Sequence, residues 1–309
     1  MKAWVTGGAG FLGSHLAEAL AGAGYTVTVV DDYSTGVPEN LVTLAGRIRI
    51  LPCAVQSSTF RDAFAEDPPA ILFHLAGDAR VSLSVEDPRA DCDRNLLPTL
   101  ALLDAVRDLA PETRVLYAST GAVYGGNAER PFHESDGLCP VSPYAVAKLA
   151  SERYCYVYHQ NYGLKTASLR MFSVYGPRQT KQVVYDLIRK IHANPASLPL
   201  FGDGCEERDF SHVINMIDAF LLLAEKAPFQ GEVFNAAGDE IVSIRRLAEL
   251  LCEMMNATPE FRFSGQTRPG DSRRWVADTG RIRALGYTPR FCLRDGLRDT
   301  LEWYMRRQP

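Results

Sequence analysis

Two side chains spaced for proton transfer, Tyr144 and Lys148, stand four residues apart in this sequence. On a helix, positions i and i+4 share one face, so the phenol and the ammonium are expected to lie a turn apart. The ammonium, with the positive charge of a bound cofactor close by, favours the phenolate and lowers the pKa of the tyrosine from about 10 towards neutrality. Thr120 follows a buried apolar stretch at 114–118 and offers a hydroxyl that can hold an alcohol and relay its proton. Together the three residues indicate a general base that acts on an alcohol.

The residues that would position a second reactant lie at the start of the chain. An apolar strand at 3–6 leads into Gly7, Gly10 and Gly13, and a helical apolar pattern follows. These glycines permit a tight turn, a close approach of the backbone to a pyrophosphate, and close packing of helix on strand. The helix N-terminus offers free N–H groups to phosphate, and Asp31 follows the next strand at the distance typical of dinucleotide-binding proteins. With a nicotinamide dinucleotide bound there, hydride would leave the sugar carbon whose hydroxyl the tyrosine deprotonates.

The order of the apolar segments predicts an α/β fold. Strands are predicted at 3–6, 25–30, 48–51, 70–75, 114–118 and 166–172, and helices at 11–20, 59–65, 90–109 and 143–162. Continuous apolar runs such as 70–75 are typical of parallel strands covered on both faces. We therefore predict a Rossmann-type doubly wound parallel sheet over 1–175 that binds the dinucleotide and carries the catalytic residues.

Beyond this unit, 176–309 is predicted to form a smaller helix-rich substrate domain rather than a second sheet. Its helices are predicted at 183–193, 214–226, 244–256, 279–285 and 293–306, with short strands at 232–235 and 260–263. No flexible linker separates the two regions, so we expect them to exchange some chain and to pack around one cleft.

The composition narrows the function classes. The chain has 309 residues, a formal net charge of −4 and 46% hydrophobic residues, which gives no electrostatic argument for binding nucleic acid or an anionic membrane. No apolar run is long enough to span a bilayer, and no signal peptide is expected before the first strand. The seven cysteines show no metal-ligand spacing, which indicates reduced thiols in a cytoplasmic protein without a metal site.

The chain resembles the extended short-chain dehydrogenase/reductase family, and within it the nucleotide-sugar epimerase/dehydratase branch. The resemblance runs from end to end in the family's order. The segments that carry it are Thr-Gly-Gly-Ala-Gly-Phe-Leu-Gly at 6–13, Asp-Asp-Tyr-Ser-Thr-Gly at 31–36, His-Leu-Ala-Gly at 74–77, Ser-Thr-Gly-Ala-Val-Tyr-Gly at 119–125, Tyr-Ala-Val-Ala-Lys at 144–148, Arg-Met-Phe-Ser-Val-Tyr-Gly-Pro-Arg-Gln at 170–179, Gly-Asp-Gly-Cys-Glu-Glu-Arg-Asp-Phe at 202–210 and Arg-Pro-Gly-Asp at 268–271.

This resemblance implies an NAD site and a set of residues around it. Asp31 would bind the adenosine ribose and favour NAD over NADP, because a carboxylate repels a 2′-phosphate. Tyr144 and Lys148 would act beside the cofactor and, with Thr120, form the catalytic set. The remaining cofactor residues implied are Gly7, Gly10, Phe11, Leu12, Gly13, Asp32, Ser34, Thr35, Gly36, Leu75, Ala76, Gly77, Arg80 and Asn95.

For the substrate, the resemblance implies a nucleoside diphosphate sugar. Arg208 and Arg268 would meet the diphosphate and Asp271 the nucleoside ribose. Trp275 stands where family epimerases control the room beside the sugar's C2 substituent, although packing is an equal alternative. Arg80, Thr120, Tyr144 and Ser173 complete the implied substrate residues.

Three departures from the family pattern bear on the reaction. Family dehydratases and decarboxylases place a carboxyl just before Val-Tyr-Gly, where this chain has Gly121 and Ala122. Ser173 replaces the commonest asparagine, and a hydroxyl there is also found in relatives acting on UDP-uronic acids. Ala54 and Val55 replace an Asp-Ile pair that touches adenine, which implies weaker holding of NAD.

The expected function is that of an NAD-dependent UDP-glucose/UDP-galactose 4-epimerase working through a transient 4-keto sugar. A UDP-glucuronate 4-epimerase, or another dehydratase or reductase of the family, is the first alternative. A non-catalytic NAD-binding sensor is the alternative from a different class, which the intact Thr120, Tyr144 and Lys148 set disfavours. The resemblance also implies a homodimer through a four-helix bundle of the helices at 90–109 and 143–162, where aromatic residues such as Tyr154 could equally be core packing.

Overall fold

The computed structural model describes residues 1–126, 129–266 and 273–307. Its strands are β1 (Lys2–Thr6), β2 (Thr26–Val30), β3 (Arg49–Leu51), β4 (Ile71–His74), β5 (Arg114–Thr120), β6 (Thr166–Met171), β7 (Val174–Tyr175), β8 (Ser197–Leu200), β9 (Glu207–Asp209), β10 (Ser211–His212), β11 (Gln230–Ala236), β12 (Ile241–Ser243), β13 (Glu260–Phe263) and β14 (Arg274–Trp275). Its α-helices are α1 (Phe11–Gly22), α2 (Ser58–Glu66), α3 (Val81–Glu86), α4 (Pro88–Asn95), α5 (Leu97–Leu109), α6 (Pro143–Tyr162), α7 (Gln182–Ala193), α8 (Val213–Lys226), α9 (Ile244–Met255), α10 (Gly280–Ala284) and α11 (Leu293–Arg306). Two 3₁₀ segments span Pro38–Leu44 and Gly121–Tyr124.

A seven-stranded sheet forms the centre of the molecule, in the order β11-β6-β5-β4-β1-β2-β3. All of its pairs are parallel; Val5, for example, stands opposite Val29 on one side and Phe73 on the other. Parallel strands need crossover connections, and the helices between them cover both faces. The predicted doubly wound Rossmann-type fold is confirmed.

The two faces of the sheet have separate apolar cores, because alternate side chains along a strand point in opposite directions. Ala3 and Val5 lie in the core covered by α1 and α8. Trp4 lies on the other face, in the core covered by α2, α5 and α6. Its indole, 1% exposed, meets the rings of Phe60 and Phe64 edge-on at centroid distances of 5.8 and 5.6 Å.

The chain crosses the predicted boundary at 175 and then returns to the large sheet. β11 pairs with β6 at the sheet edge, and α8 packs on one face. The rest of the second region packs α7, α9 and α11 around its own core. It also contains small sheets, β12-β9-β14 and β13-β8, whose strands of two to four residues are mostly too short to show a periodic pattern.

One predicted helix is wrong as a single element. The segment at 90–109 belongs to two helices, α4 and α5, which meet at Leu96. Pro98 stands in the first turn of α5, where its missing N–H costs nothing, but it could not continue the preceding helix.

No helix in the described ranges is long and apolar enough to cross a membrane. All seven cysteines are free thiols.

Candidate functional site

A cleft lies at the carboxyl ends of β1, β2, β4, β5 and β6, where sites form in open α/β sheets. Most of the predicted cofactor residues line it: Gly7, Gly10, Phe11, Leu12, Gly13, Asp31, Asp32, Ser34, Thr35, Leu75, Ala76, Gly77, Asn95, Tyr144 and Lys148. Gly36 stands behind Asp31, and Arg80 stands beside the lining residue Asp78. The sequence therefore located the cleft from segments far apart in the chain.

The glycine turn is so tight that side chains are excluded from it. Gly7 has φ +67°, and a Cβ there would lie 2.8 Å from the backbone of Ala76. A Cβ on Gly13 would lie 2.1 Å from the Gly7 carbonyl oxygen. Gly10 is the N-cap of α1 and has no side chain that could accept a hydrogen bond. The N–H groups of the first turn of α1 therefore face the cleft without an acceptor from the cap residue. This geometry fits the pyrophosphate of a dinucleotide.

Asp31 is fixed at the end of β2. Its Oδ2 accepts a hydrogen bond from the Ala9 N–H at 2.8 Å, and its Oδ1 accepts one from the Tyr33 N–H at 2.8 Å. Burial raises the pKa of the carboxyl, against the lowering effect of these two donors. Both oxygens also lie 2.8 Å from the position that a Cβ on Gly36 would take, so glycine is required beside the carboxylate. The acid expected to meet a ribose is therefore held rigidly in the cleft.

Asn95 lines the cleft and fixes the neighbouring Asp78. Its Oδ1 accepts the Asp78 N–H at 2.9 Å, and its Nδ2 donates to the Asp78 carbonyl at 3.0 Å and to Asp91 Oδ1 at 2.8 Å. Asp78 in turn binds the guanidinium of Arg80, whose Nε donates to both carboxylate oxygens at 2.8 and 2.9 Å. Burial would raise the pKa of Asp78, but the Arg80 contacts outweigh it and lower the pKa. Arg80 is thus engaged by a carboxylate that the sequence analysis did not single out.

Tyr144 lies in the first turn of α6, which Ser142 caps by accepting the Ala145 N–H at 3.2 Å. The phenol is buried beside the Thr120 side chain, at the end of β5. Burial, together with the charges of Asp91 and Asp78, raises the pKa of Tyr144 to about 12, although the Thr120 hydroxyl lowers it. The predicted lowering towards neutrality included the positive charge of a bound cofactor. In the protein alone the pKa is raised instead, because burial of the phenol outweighs the groups that favour its phenolate.

Lys148 is buried one helical turn after the tyrosine, and its Nζ lies 4.5 Å from the centre of the Tyr117 ring. Burial lowers the pKa of the ammonium to about 8, while Cys155, Asp91 and Glu152 raise it. The side chain is therefore mostly charged at neutral pH, but it gives up its proton more readily than an exposed lysine does.

Two of the predicted substrate residues, Arg208 and Trp275, lie in the small sheet β12-β9-β14 of the second region. Phe172 contacts Gly121, beside Thr120, so closely that a Cβ on the glycine would lie 2.7 Å from the ring. The Trp275 ring lies 5.9 Å from Phe172 and also packs on Phe132 at 6.1 Å. In the small sheet, Trp275 stands opposite Arg208. These contacts join the catalytic end of β5 to the second region, and they show that Trp275 has a packing role.

Of three further predicted substrate residues, the structure describes only Ser173. Ser173 follows β6 with φ 32°, in the left-handed region that serine rarely adopts, and its carbonyl accepts the Ser211 N–H at 3.2 Å. Arg268 and Asp271 lie outside the described residues.

One side of the cleft is formed by residues that were not predicted from the sequence. The loop at 178–182 lines it, as do Trp303 and Arg307 at the end of the last helix. Arg178 has φ 70° and is fixed by Glu18 Oε2 at 2.6 Å and Ser14 Oγ at 3.2 Å. The only sequence signal for this side was Arg-Gln within the quoted segment 170–179, and nothing in the sequence connects the last helix to the glycine turn.

Comparison with known proteins agrees with this geometry. A family model for the NAD-dependent epimerase/dehydratase family matches residues 3–237. A UDP-glucose 4-epimerase of Mycolicibacterium smegmatis is 33% identical over 98% of each chain. The crystal structure of a UDP-glucose 4-epimerase of Thermotoga maritima with UDP-glucose superposes with a TM-score of 0.92 at 32% identity over 99% of each chain. A UDP-glucuronic acid 4-epimerase of Bacillus cereus, solved with UDP-glucuronic acid and NAD, superposes with a TM-score of 0.91 at 29% identity over 99% of each chain. The chain therefore belongs to the NAD-dependent epimerase/dehydratase family, and its cofactor is NAD.

Proposed function

We propose that the protein is a UDP-glucose/UDP-galactose 4-epimerase that oxidises and re-reduces C4 of the sugar. The observation that carries this proposal is the absence of a carboxyl beside Thr120. The two positions where family dehydratases carry acids are Gly121, which the Phe172 ring leaves no room to enlarge, and Ala122. Elimination of water needs an acid and a base, whereas epimerisation needs only one group that takes a proton and returns it.

The chain's own residues supply the proton transfer. Tyr144, beside Thr120, accepts the proton of the sugar 4-hydroxyl and later returns it. Bound NAD supplies the acceptor and donor of hydride at C4, and a positive charge near the phenol. Lys148 adds its ammonium one turn away on the same face, and its burial strengthens that charge's effect.

The substrate is proposed to lie between the catalytic residues and the small sheet that carries Arg208 and Trp275. Arg208, partly buried on β9, and Arg268 would bind the diphosphate, and Asp271 the nucleoside ribose. Trp275, partly buried against Phe172, would limit the room beside C2 and so favour a plain hexose. This arrangement binds the nucleotide through charged groups and leaves the sugar few ionic contacts. The 4-keto sugar can then rotate between the two hydride transfers and present its other face.

The first alternative is a 4-epimerase of UDP-glucuronate. Ser173 supports it, since a hydroxyl at this position accompanies a C6 carboxylate in some relatives, and the similar Bacillus cereus protein was solved with UDP-glucuronic acid. The two proposals share every catalytic step and differ only in the group at C6. The alternative from another class, an NAD sensor, leaves unexplained why Thr120, Tyr144 and Lys148 are brought together.

The proposal is tested by comparing Tyr144→Phe with Tyr154→Phe, a change at an exposed tyrosine of the same helix. We expect Tyr144→Phe to lower kcat for UDP-galactose by at least about 10²-fold, because the proton acceptor is removed. Tyr154→Phe should keep the wild-type rate. Near wild-type turnover of Tyr144→Phe would show that the general base is misassigned, whereas NAD binding without turnover of UDP-galactose or UDP-glucuronate would favour a sensor.

We also propose a homodimer through a four-helix bundle of the segments 90–109, which contains α5 and most of α4, and 143–162, which is α6. Val146 and Val157 of α6 are 52% and 40% exposed, and Leu97 of α5 is 42% exposed. Two tyrosines of α6 differ in burial. Tyr158 is buried and donates to Asp104 Oδ1 at 2.9 Å, so it belongs to the core, whereas Tyr154 is exposed. Sedimentation equilibrium should give twice the mass of the chain, and Val146→Glu should shift it towards the monomer; a monomer for the wild type would overturn the proposal.

A further inference from the structure

A fully buried ion pair stands directly behind the catalytic residues. The side chains of Glu152 and Arg170 are 1% and 2% exposed. Arg170 Nε donates to Glu152 Oε2 at 2.9 Å, and its Nη2 donates to Oε1 at 2.6 Å. A two-pronged pair of this kind fixes both side chains in orientation as well as in distance.

The pair joins the helix of the catalytic tyrosine to the strand of the catalytic threonine. Tyr144, Lys148 and Glu152 follow one another at intervals of four residues, so they line one side of α6. Glu152 Oε2 also accepts the Ser119 hydroxyl at 2.8 Å, and Ser119 directly precedes Thr120. The carboxylate is therefore anchored to the end of β5 as well as to β6.

Arg170 is held equally firmly on its other side. Its Nη1 donates to the Tyr124 hydroxyl at 2.7 Å, and that hydroxyl donates to Asn235 Oδ1 at 2.8 Å. The guanidinium also lies 4.8 Å from the centre of the Tyr124 ring. The cation thus has a complete set of partners that do not depend on any ligand.

A buried ion pair is a poor device for stability alone. Removing two charges from water costs several kcal/mol per ion, and well-packed apolar residues of the same volume are often as stable or more so. The pair is therefore expected to serve a function that depends on its charge or on its fixed geometry. Its carboxylate stands one helical turn from Lys148, which is itself buried.

We propose that Glu152, clamped by Arg170, is a positioning residue that provides, one helical turn from Lys148, the counter-charge that keeps its ammonium protonated. The proposal rests on the role assigned to Lys148 above, but its test does not require turnover. The titratable and charged groups facing Lys148 are Asp91 of α4, His74 of β4, Tyr117 of β5, and Glu152 and Cys155 of α6. Among them Glu152 is one of the groups that favour the charged lysine, whereas burial opposes it.

The protein has six lysines, so the titration of Lys148 can be followed by NMR of protein labelled with ¹³C at lysine Cε, its signal identified by its loss in Lys148→Met. For the wild type we expect a midpoint near the pKa of about 8. In Glu152→Gln, which keeps the size and removes the charge, the midpoint should shift to lower pH. The matched control is Tyr124→Phe, which removes a hydroxyl from the same network without removing a charge and should leave the midpoint in place.

Glu152→Gln leaves Arg170 buried without its partner and can fail to fold. The double variant Glu152→Gln/Arg170→Gln removes both charges of the pair. Because Glu152 lies on the helix of Lys148 whereas Arg170 lies on β6, the Lys148 midpoint should again shift to lower pH, by less than in the single variant. An unchanged Lys148 midpoint in the folded variant, or an equal shift in Tyr124→Phe, would overturn the proposal. If the Lys148 midpoint shifted in Glu152→Gln but not in Tyr124→Phe, and the wild-type protein epimerised no sugar, the role of Glu152 as counter-charge would be supported. Only the proposed function would then be refuted.

Discussion

Gly13→Ala offers a sharp test of the glycine turn, because the structure fixes what a single added methyl group would meet. The new Cβ would lie 2.1 Å from the Gly7 carbonyl oxygen, 2.7 Å from Gly8 Cα and 2.8 Å from the Gly7 carbonyl carbon. All three atoms are backbone, so no side-chain rotation can relieve the contact. The start of α1 would have to move away from the turn that leads into it.

The size of the effect follows from that displacement. The Cβ must retreat by roughly 1 Å to reach ordinary contact, and overpacking of a filled site costs about 1–3 kcal/mol. Because backbone has to shift, we expect a loss at the upper end, about 3 kcal/mol of unfolding free energy. NAD affinity should fall by at least about tenfold, since the N–H groups expected at the pyrophosphate move with the helix.

The matched control is Gly22→Ala, at the other end of the same helix, where an added Cβ meets nothing within 4 Å. This change should leave stability equal or raise it by up to about 1 kcal/mol, because it removes glycine's backbone entropy. Urea unfolding and calorimetric titration with NAD measure both quantities. The reasoning is refuted if Gly13→Ala matches Gly22→Ala in stability and in NAD affinity.

Three further predictions concern other positions. Burial and the charge of Asp239 raise the pKa of Asp209 to about 8; the folded protein then keeps a proton that the unfolded chain releases above about pH 4, so stability falls as pH rises from 4 to 8. The unfolding free energy of Asp209→Asn, measured by urea titration, should therefore rise relative to the wild type by up to about 1.4 kcal/mol per pH unit in that range. A difference that does not change with pH would contradict this. Ser173→Gly should raise the unfolding free energy by about 0.5–1 kcal/mol, because relief of left-handed strain exceeds the entropy lost with glycine; a loss in stability would contradict it. NAD should bind at least about tenfold more tightly than NADP by calorimetry, because the fixed Asp31 carboxylate repels a 2′-phosphate; equal affinities would refute the assignment.

The fold was predictable where local pattern decides it. The six predicted strands at 3–172 are apolar runs of parallel-sheet type, and α6 and α11 have the predicted limits. The place of β11 was not predictable, since nothing in its sequence shows that it pairs with β6 rather than with its own neighbours. The break at Leu96 had a signal in Pro98, which cannot continue a preceding helix but is accepted in the first turn of a new one.

The site was predictable where chemistry depends on residues close in sequence. Glycine spacing and the Tyr144–Lys148 interval are local, and both residues line the cleft with the glycines. The predicted pKa of Tyr144 took account of the neighbouring positive charges but not of burial, which raises this pKa in the protein alone; burial is a property of the packed structure and not of the spacing. The pairing of Glu152 with Arg170 and the arrival of Trp303 at the cleft likewise depend on tertiary packing, which no motif shows.

The central claim is tested most directly by proton NMR of the purified protein mixed with UDP-galactose, first without added cofactor and then with NAD. The account predicts that UDP-glucose appears and approaches an equilibrium mixture, by oxidation and re-reduction at C4. Release of a keto sugar, or no conversion even with NAD supplied, would contradict it; in the second case conversion of UDP-glucuronate under the same conditions would transfer the mechanism to the uronic acid.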